Sequence, residues 1–557
     1  MKILPILTAL LPVAWCRSNA IHNPIISGWN PDPAVLRVGM EYFIATSSME
    51  YWPGIPIYRS TDLENWELYS HAFTRPEQLQ LYGTPTSAGA WAPSLSHING
   101  RFYITAVTRW TYDPVAKVWP RAFWVSSTDL KTWSDPVWAD PWGIDPELFH
   151  DPLTNKVYLN IMAPNNNVDR IWGISQCEVD VKSGPCIGGY RSIWNGTLPH
   201  TGSARPEGPK MFKRGSWYYL LIAEGGTDEL HRATIARSKS AEGPWDANPN
   251  NPLLYNGAYG FQNLTVQSTG HATMFETHDG DWYAVFLARR NINGSSPLGR
   301  ETFLCSVQWE DDWPVFNNGN PIVLNDASGL KPIPSPFVDT FSKSKLDASW
   351  YQLRTPYAKT YTIQKGLILH PNVFSLSERD VPAAILRKQT SLNMTFSATL
   401  MPIKSALGPR QTIGISAYLS ELQHQDIGIS GCARRKGLCI YTWLLNNGTA
   451  EHSEYPLNAT AIQDLTFHIR AEPLEYRLGY GVGKSGVSWL ASFPSSWMAT
   501  APPDWFVFDG AMFALSASGN GEPWPVDGPA VGFQKVKEVY YQEDIPDYDD
   551  SPLLLKY

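Results

Sequence analysis

A repeat constrains what the first 320 residues can fold into. A turn residue, a polar residue and an aromatic strand recur as GMEYFIATS from Gly39, GRFYITAVT from Gly100, NKVYLNIMA from Asn155, GSWYYLLIA from Gly215 and GDWYAVFLA from Gly280. Successive copies lie about 55 to 65 residues apart. Gly or Asn suits the tight turn of a hairpin, and Tyr, Trp, Ile and Val suit a strand. A second element follows some copies: Ser60-Thr61-Asp62-Leu63-Glu64-Asn65-Trp66, Ser127-Thr128-Asp129-Leu130-Lys131-Thr132-Trp133, and a degenerate version from Ser238 to Trp245. It reads as the link between a unit's third and fourth strands. Five such units of four strands each predict an all-β chain opening with a five-bladed β-propeller over residues 21–325. Parallel α/β folds need helices of about ten residues or more between strands, and the sequence shows almost no helical periodicity.

The segments just before each hairpin carry the chemistry. They read NPDPAVL from Asn30, WAPSLSH from Trp91, IDPELFH from Ile144, PEGPKMF from Pro206 and GHATMFE from Gly270. In a propeller the innermost strand of each blade lines the central channel. Equivalent offsets therefore predict that Asp32, Asp145, Glu207 and His271 project toward one axis at similar depth. Singly, each acid reads as an ordinary turn residue, since Asp before Pro and Glu before Gly-Pro are common in loops. His271 alone reads equally well as a hydrogen-bonded core histidine. Jointly, three acids in otherwise apolar inner strands are costly unless used. Cleaving a glycosidic bond needs a proton for the leaving oxygen and either an activated water or a nucleophile. Two carboxyl groups with separated pKa values supply both, and a third near the acid can raise and orient it.

Composition agrees with a sugar cleft and removes other classes. Aromatics make up 13% of the chain, with 24 Trp and 26 Tyr. Strands favour such residues, and flat rings stack on sugars. The net charge of −8 and the absence of a basic run leave no footprint for nucleic acid. MKILPILTALLPVAWCRSNA has a charged start, a short apolar run and small residues at the cleavage positions, so residues 1–20 read as a secretory signal peptide. No stretch is long enough to span a bilayer, and no membrane partner is expected. Sequons at Asn195, Asn263, Asn293, Asn393, Asn447 and Asn458 fit a secreted, extracellular glycoprotein. Of the cysteines after the signal, Cys177 with Cys186 and Cys432 with Cys439 are read as local disulfides, leaving Cys305 free. Without a CxxC pair or an HExxH motif, no zinc site is expected.

These strings resemble glycoside hydrolase family 43, in particular its two-domain β-xylosidase and α-L-arabinofuranosidase members. The resemblance rests on Trp29-Asn30-Pro31-Asp32-Pro33, Tyr51-Trp52-Pro53-Gly54, Ala90-Trp91-Ala92-Pro93, Gly143-Ile144-Asp145-Pro146, Pro206-Glu207-Gly208-Pro209, Gly270-His271-Ala272 and Leu298-Gly299-Arg300-Glu301-Thr302, in family order. It implies an inverting mechanism with Asp32 as general base, Glu207 as general acid and Asp145 as the residue that tunes the acid. Inversion implies a base-to-acid gap of roughly 6.5–9.5 Å. It also implies that Arg300 faces substrate hydroxyls and the carboxylates, and that Trp91 walls the sugar pocket. As alternatives, Arg300 reads as a surface ion-pair residue and Trp91 as core filler. His271 matches a channel position where some members hold a cation through water. No cofactor or metal is assigned.

After Trp313 a Pro-rich stretch, Lys331 to Pro336, reads as a linker. Short alternating strands then predict a β-sandwich over residues 336–541, followed by an acidic, solvated tail over 542–557. The resemblance makes this sandwich concanavalin-like and packed on the propeller. It also makes Phe508 a candidate to close the pocket rim, although an ordinary strand Phe fits as well. The expected activity is exo-hydrolysis releasing xylose or L-arabinofuranose from plant cell-wall oligosaccharides or polysaccharides. An endo-arabinanase-like enzyme and a non-catalytic sugar-binding propeller are the alternatives.

Overall fold

A computed structural model describes residues 22–109, 120–164, 172–199, 204–324, 332–403, 406–457, 463–500 and 507–543. The expected signal peptide, Asn458 and the acidic tail from Asp544 onward lie outside these residues. The described residues form strands, turns and two short 3-10 segments, with no α-helix among them.

Residues 34–316 build five antiparallel sheets of four strands, each from consecutive segments of chain. The second, third, fourth and fifth repeats form the hairpins opened by Gly89–Ile98, Ile144–His150, Glu207–Arg214 and Val266–Glu276. The first repeat joins Ala34–Val38 to Glu41–Ala45. These five first strands contact one another in a closed cycle. The segment before the first sheet completes the ring. Ile26 bridges Thr302 through both backbone hydrogen bonds, at 3.2 and 3.3 Å, and the Asn23 side chain bonds both the N–H and the carbonyl of Leu304. The Ser-Thr-Asp-Leu turns link third strands to fourth ones, as expected. In the first, Ser60 Oγ accepts from Asp62 and Leu63 N–H, and Asp62 Oδ1 accepts from Glu64 and Asn65 N–H. The second repeats this bonding around Ser127 and Asp129.

Residues 332–336 are exposed and without secondary structure, as a linker requires. Beyond them an eight-stranded and a six-stranded sheet pack face to face. Alternate residues such as Phe396, Ala398, Phe467, Ile469, Leu478, Ile413 and Ile415 point into the shared core. The two halves of the molecule are joined by more than contact. Gln352–Leu353 pairs as a strand with Tyr51–Trp52, and one apolar cluster contains Trp29, Tyr51 and Trp91 together with Tyr351, Leu386, Tyr418 and Met512.

Cys177–Cys186 and Cys432–Cys439 are disulfides, and Cys305 is free and buried. Asn263, Asn293 and Asn447 are exposed, while Asn195 and Asn393 are half-buried. Glu543 departs from the expected solvated tail. It is partly buried, pairs with Arg290, and accepts hydrogen bonds from Ser391 Oγ and Leu392 N–H.

Candidate active site

The inner strands share one irregularity, and it sorts the candidate residues. Opposite each partner strand, four of them insert an extra residue: between Trp91 and Ser94, Ile144 and Glu147, Glu207 and Lys210, and Gly270 and Thr273. Just after the start of each bulge, the chain takes a positive φ at Ala92, Asp145, Gly208 and His271, and Asp32 does the same two residues before the first sheet. Non-glycine residues rarely adopt this conformation, and holding one there costs about 1–3 kcal/mol. Four of the five residues do so here without being glycine. This register corrects the sequence reading. Asp32, Asp145 and His271 are equivalent, but the fourth position of that set is Gly208. Glu207 sits one residue earlier, in register with Trp91, Ile144 and Gly270. The bulge bends the strand, so the two adjacent positions face the cavity at different places. The proline that follows Asp32, Ala92, Asp145 and Gly208 marks the shared position, and only alignment on the acids instead of on that proline sets Glu207 level with them.

The offset matches a division of environments. Asp32 is 4% exposed. Its Oδ1 accepts from Arg300 Nη1 at 2.9 Å and its Oδ2 from Ser47 Oγ at 2.6 Å. Burial is the largest influence and raises its pKa, but Arg300, His271 and the Ser47 bond together outweigh it and leave the carboxyl below its usual value. Asp145 is equally buried, and its Oδ2 accepts from Gly208 N–H at 2.9 Å. Burial, then the charge of Asp32, pushes Asp145 up. Glu207 is only half-buried and lines the open cavity. Desolvation, then the nearby Asp145, pushes its carboxyl well above the usual range. The set therefore holds one ionised carboxylate on Arg300 and a proton on the Asp145–Glu207 pair.

The cavity over these groups measures about 770 Å³ and is lined by Asp32, Asp145, Glu207, Trp91, His271, Arg300 and Phe508, every residue singled out from the sequence. Arg300 is buried at the cavity wall, so its reading as a surface ion-pair residue is set aside. Phe508 reaches in from the sandwich. Its ring lies edge-on to Trp91 at 5.5 Å, and its carbonyl accepts from Arg300 Nη2 at 3.2 Å and Trp29 Nε1 at 2.8 Å. It is thus a rim residue and not an ordinary strand phenylalanine. His271 Nδ1 lies 3.4 Å from Asp32, and burial lowers the ring to about 3, so the imidazole is neutral. Among the described residues no group of three or more His, Cys, Asp and Glu side chains is placed to hold a metal.

Several residues escaped the sequence reading. His231 lines the cavity, and its Nδ1 sits 2.9 Å from Ser268 carbonyl. That carbonyl fixes the ring proton on Nδ1 and leaves Nε2 an acceptor. Thr227 Oγ1 accepts from Arg300 Nη1 at 3.4 Å. Glu147 and Lys210 occupy equivalent positions at the far side of their bulges and form a second, buried polar layer in the channel. Met211 N–H and Asn160 Nδ2 both donate to Glu147. The Lys210 ammonium partly offsets the rise at Asp145. Ser87 holds the rim: its Oγ donates to Asp509 Oδ2 at 2.7 Å and accepts from Phe508 N–H at 2.9 Å, and its carbonyl accepts from Trp91 Nε1 at 2.9 Å. Lys210 and His231 sit in or near motifs already noticed. Ser87 and Asp509 are 422 residues apart, and nothing in the sequence joins them.

Comparison with known proteins agrees with this geometry. The family described as "Glycosyl hydrolases family 43" matches residues 21–314, and "Beta xylosidase C-terminal Concanavalin A-like domain" matches residues 338–527. A non-reducing end alpha-L-arabinofuranosidase of Bacteroides ovatus is 34% identical over 73% of this chain and 75% of its own. A xylan 1,3-beta-xylosidase of Vibrio sp. is 30% identical over 86% of this chain and 91% of its own. The crystal structure of a xylan beta-1,4-xylosidase from Bacillus halodurans C-125 superposes with a TM-score of 0.83 at 27% identity, covering 93% of this chain and 100% of that one. With the carboxylates, the cavity and both halves of the chain accounted for, the protein belongs to glycosyl hydrolase family 43 and is a glycosidase.

Proposed function

We propose that this is a secreted, exo-acting, inverting glycosidase that releases xylose or L-arabinofuranose from xylan- or arabinan-derived glycans. The five sheets are read as the blades of a five-bladed propeller. Asp32, ionised on Arg300, takes a proton from water as the water attacks the anomeric carbon. Glu207, protonated and open to the cavity, gives its proton to the departing glycosidic oxygen. Asp145 keeps Glu207 protonated by its charge and holds the adjoining backbone through Gly208 N–H. Each turnover leaves the proton on Asp32 and a charge on Glu207, and exchange with solvent resets both.

The observation that carries the exo reading is Phe508. A residue from the sandwich lines the propeller's cavity, bonded to Arg300 and against Trp91. An endo-acting enzyme needs a groove open at both ends, and a lectin has no use for an acid and a base held apart in pKa. The names of the relatives support a pentose substrate. Residues 1–20 and the exposed sequons support secretion and glycosylation. Chromatography of the products from xylobiose and arabinoxylan tests the reading: single pentoses are expected from the first minutes, and long internal fragments would overturn it. Proton NMR of the sugar first released tests inversion, and a retained anomer would replace that mechanism.

A further inference from the structure

The sandwich carries a second cavity of about 490 Å³ on the outer face of its larger sheet, outside the catalytic site. Its floor is the outward side of Met394–Leu400 and Leu465–Ala471, and it holds Thr395, Ser397, Thr399, Thr466 and His468. The alternating residues Phe396, Ala398, Phe467 and Ile469 are fully buried beneath it. The floor groups are already oriented: Ser397 Oγ lies 2.8 Å from His468 Nδ1, and Thr399 Oγ1 lies 2.9 Å from Thr466 Oγ1.

Two aromatic side chains flank this floor, Trp489 at 38% exposure and Tyr541 at 41%. A side chain at Gly479 would strike Trp489 Cε3 at 2.7 Å, so the glycine lets the indole lie against the strand. A Cβ at Gly481 would come within 3.6 Å of His468 Nε2. The absence of side chains there keeps the groove open. Four cations line it. Arg470 and Arg477 share Glu472 at 3.4 and 2.8 Å and lie over the Tyr541 and Trp489 rings. Lys535 and Lys537 are exposed and pair with no acid among the described residues. This concentration of positive charge stands on a chain whose net charge is −8. From the lysine strand to the Trp489 strand the sheet crosses four strand spacings, about 19 Å, which exceeds one sugar ring.

We propose that this groove binds an acidic saccharide chain, with uronate carboxylates on Lys535 and Lys537, ring faces against Trp489 and Tyr541, and hydroxyls on the Thr/Ser floor. A polynucleotide is disfavoured. Its phosphates repeat along the whole strand, and two unpaired lysines on a negative protein do not match that density.

Affinity electrophoresis of the full chain in gels cast with glucuronoxylan tests this, with neutral arabinoxylan and single-stranded DNA as the other arms. Binding is read without hydrolysis, so the outcome does not depend on the proposed roles of Glu207 and Asp32. Glucuronoxylan is expected to retard the chain most. The apparent affinity is expected to fall roughly fivefold or more in Trp489→Ala and in the Lys535→Gln/Lys537→Gln pair. Both variants are expected to cleave aryl xylosides and arabinosides at the parent rate and to melt at the parent temperature. Equal retardation of parent and both variants would overturn the site. Equal retardation by arabinoxylan would overturn the acidic ligand, and equal retardation by DNA would overturn the saccharide. Retardation seen only after removal of residues 544–557, with their acids, would overturn a glycan as occupant of the groove in the intact chain.

Discussion

Two clusters of carboxylates flank Phe508. On one side, Asp32, Asp145 and Glu207 line the cavity. On the other, Glu50, Glu421 and Asp509 fill the seam between propeller and sandwich, each at most 3% exposed and none lining the cavity. Both clusters oppose burial with arginine. Arg300 pairs with Asp32; at the seam, Arg379 Nε bonds Glu421 at 2.6 Å, and Arg354, fully buried, lies near both Glu50 and Glu421. The use differs. In both clusters the pKa values separate, with Asp32 and Glu421 lowered and the other four acids raised, but only in the ring does a raised acid line an open cavity. At the seam, the acids accept from backbone and hydroxyl groups that fix a loop: Ser87 N–H donates to Glu50 at 3.1 Å, Thr86 donates to Glu421, and Ser87 Oγ donates to Asp509. Buried acids alone therefore do not mark catalysis. Unequal pairing plus access to a cavity does.

The strongest way to break this contrast is to neutralise one acid in each cluster. Glu207→Gln and Asp32→Asn are each expected to lower kcat/KM on xylobiose by about 10²–10⁴-fold. Asp509→Asn, in the seam, is expected to stay within about tenfold of the parent. Steady-state kinetics on the three variants decides, and a seam loss as large as the ring loss ends the distinction.

The pH profile sharpens it. As the proposed acid, Glu207 must carry its proton, so activity is expected to fall as pH rises through its raised pKa. Asp145→Asn removes one cause of that rise, so the basic limb of kcat/KM is expected to move to lower pH, with a loss of about tenfold or more. As the proposed base, Asp32 must be ionised, so activity is expected to fall as pH drops through its lowered pKa. Arg300→Met removes the main opposing charge, and the acid limb is expected to move to higher pH. Limbs that stay in place would assign the two titrations to other groups.

Much of the ring was legible in the sequence. The hairpin strings repeat visibly because turn residues and strand aromatics serve the same local geometry in each blade, and the acids fall beside them. The bulge was not legible, since an extra residue opposite a partner strand exists only once the strands pair. The offset of Glu207 has another cause: the segments look level when aligned on their acids, whereas Pro33, Pro146 and Pro209 align Gly208 with Asp32 and Asp145. The second polar layer, Glu147 and Lys210, went unnoticed because one acid and one lysine in a strand look like surface residues. The seam was invisible for a different reason. Glu50, Ser87, Glu421 and Asp509 come from segments far apart in the chain, and each resembles a solvated loop residue until the two halves dock. Phe508 was legible only by resemblance.

A smaller effect is expected at the rim. Ser87→Ala removes the hydroxyl that joins Phe508 N–H to Asp509 and leaves both without that partner. At about 1–2 kcal/mol this is a rise in KM of roughly 5–30-fold, with kcat less affected. A loss confined to kcat would show that Ser87 acts on the chemistry and not on the wall.

The last expected effect concerns stability and is small when read as a melting temperature. Burial, then the charge of Asp509, holds the Glu50 carboxyl well above its ordinary value of 4.5. The native state therefore keeps a proton there that the unfolded chain has released. Such a group contributes its full stability below about pH 4.5 and loses it as pH rises through the raised native value. Glu50→Gln keeps an acceptor for Ser87 N–H and carries no titrating proton. Between pH 5 and 8 the parent is expected to lose up to about 1.4 kcal/mol more per pH unit than the variant. In a chain of this length that amounts to a few degrees in melting temperature at most. Calorimetric scans at fixed rate across that range measure it. Parallel pH curves for parent and variant would mean that Glu50 is ionised in the folded protein, and the seam would then resemble the ring at Asp32 more closely than its geometry implies.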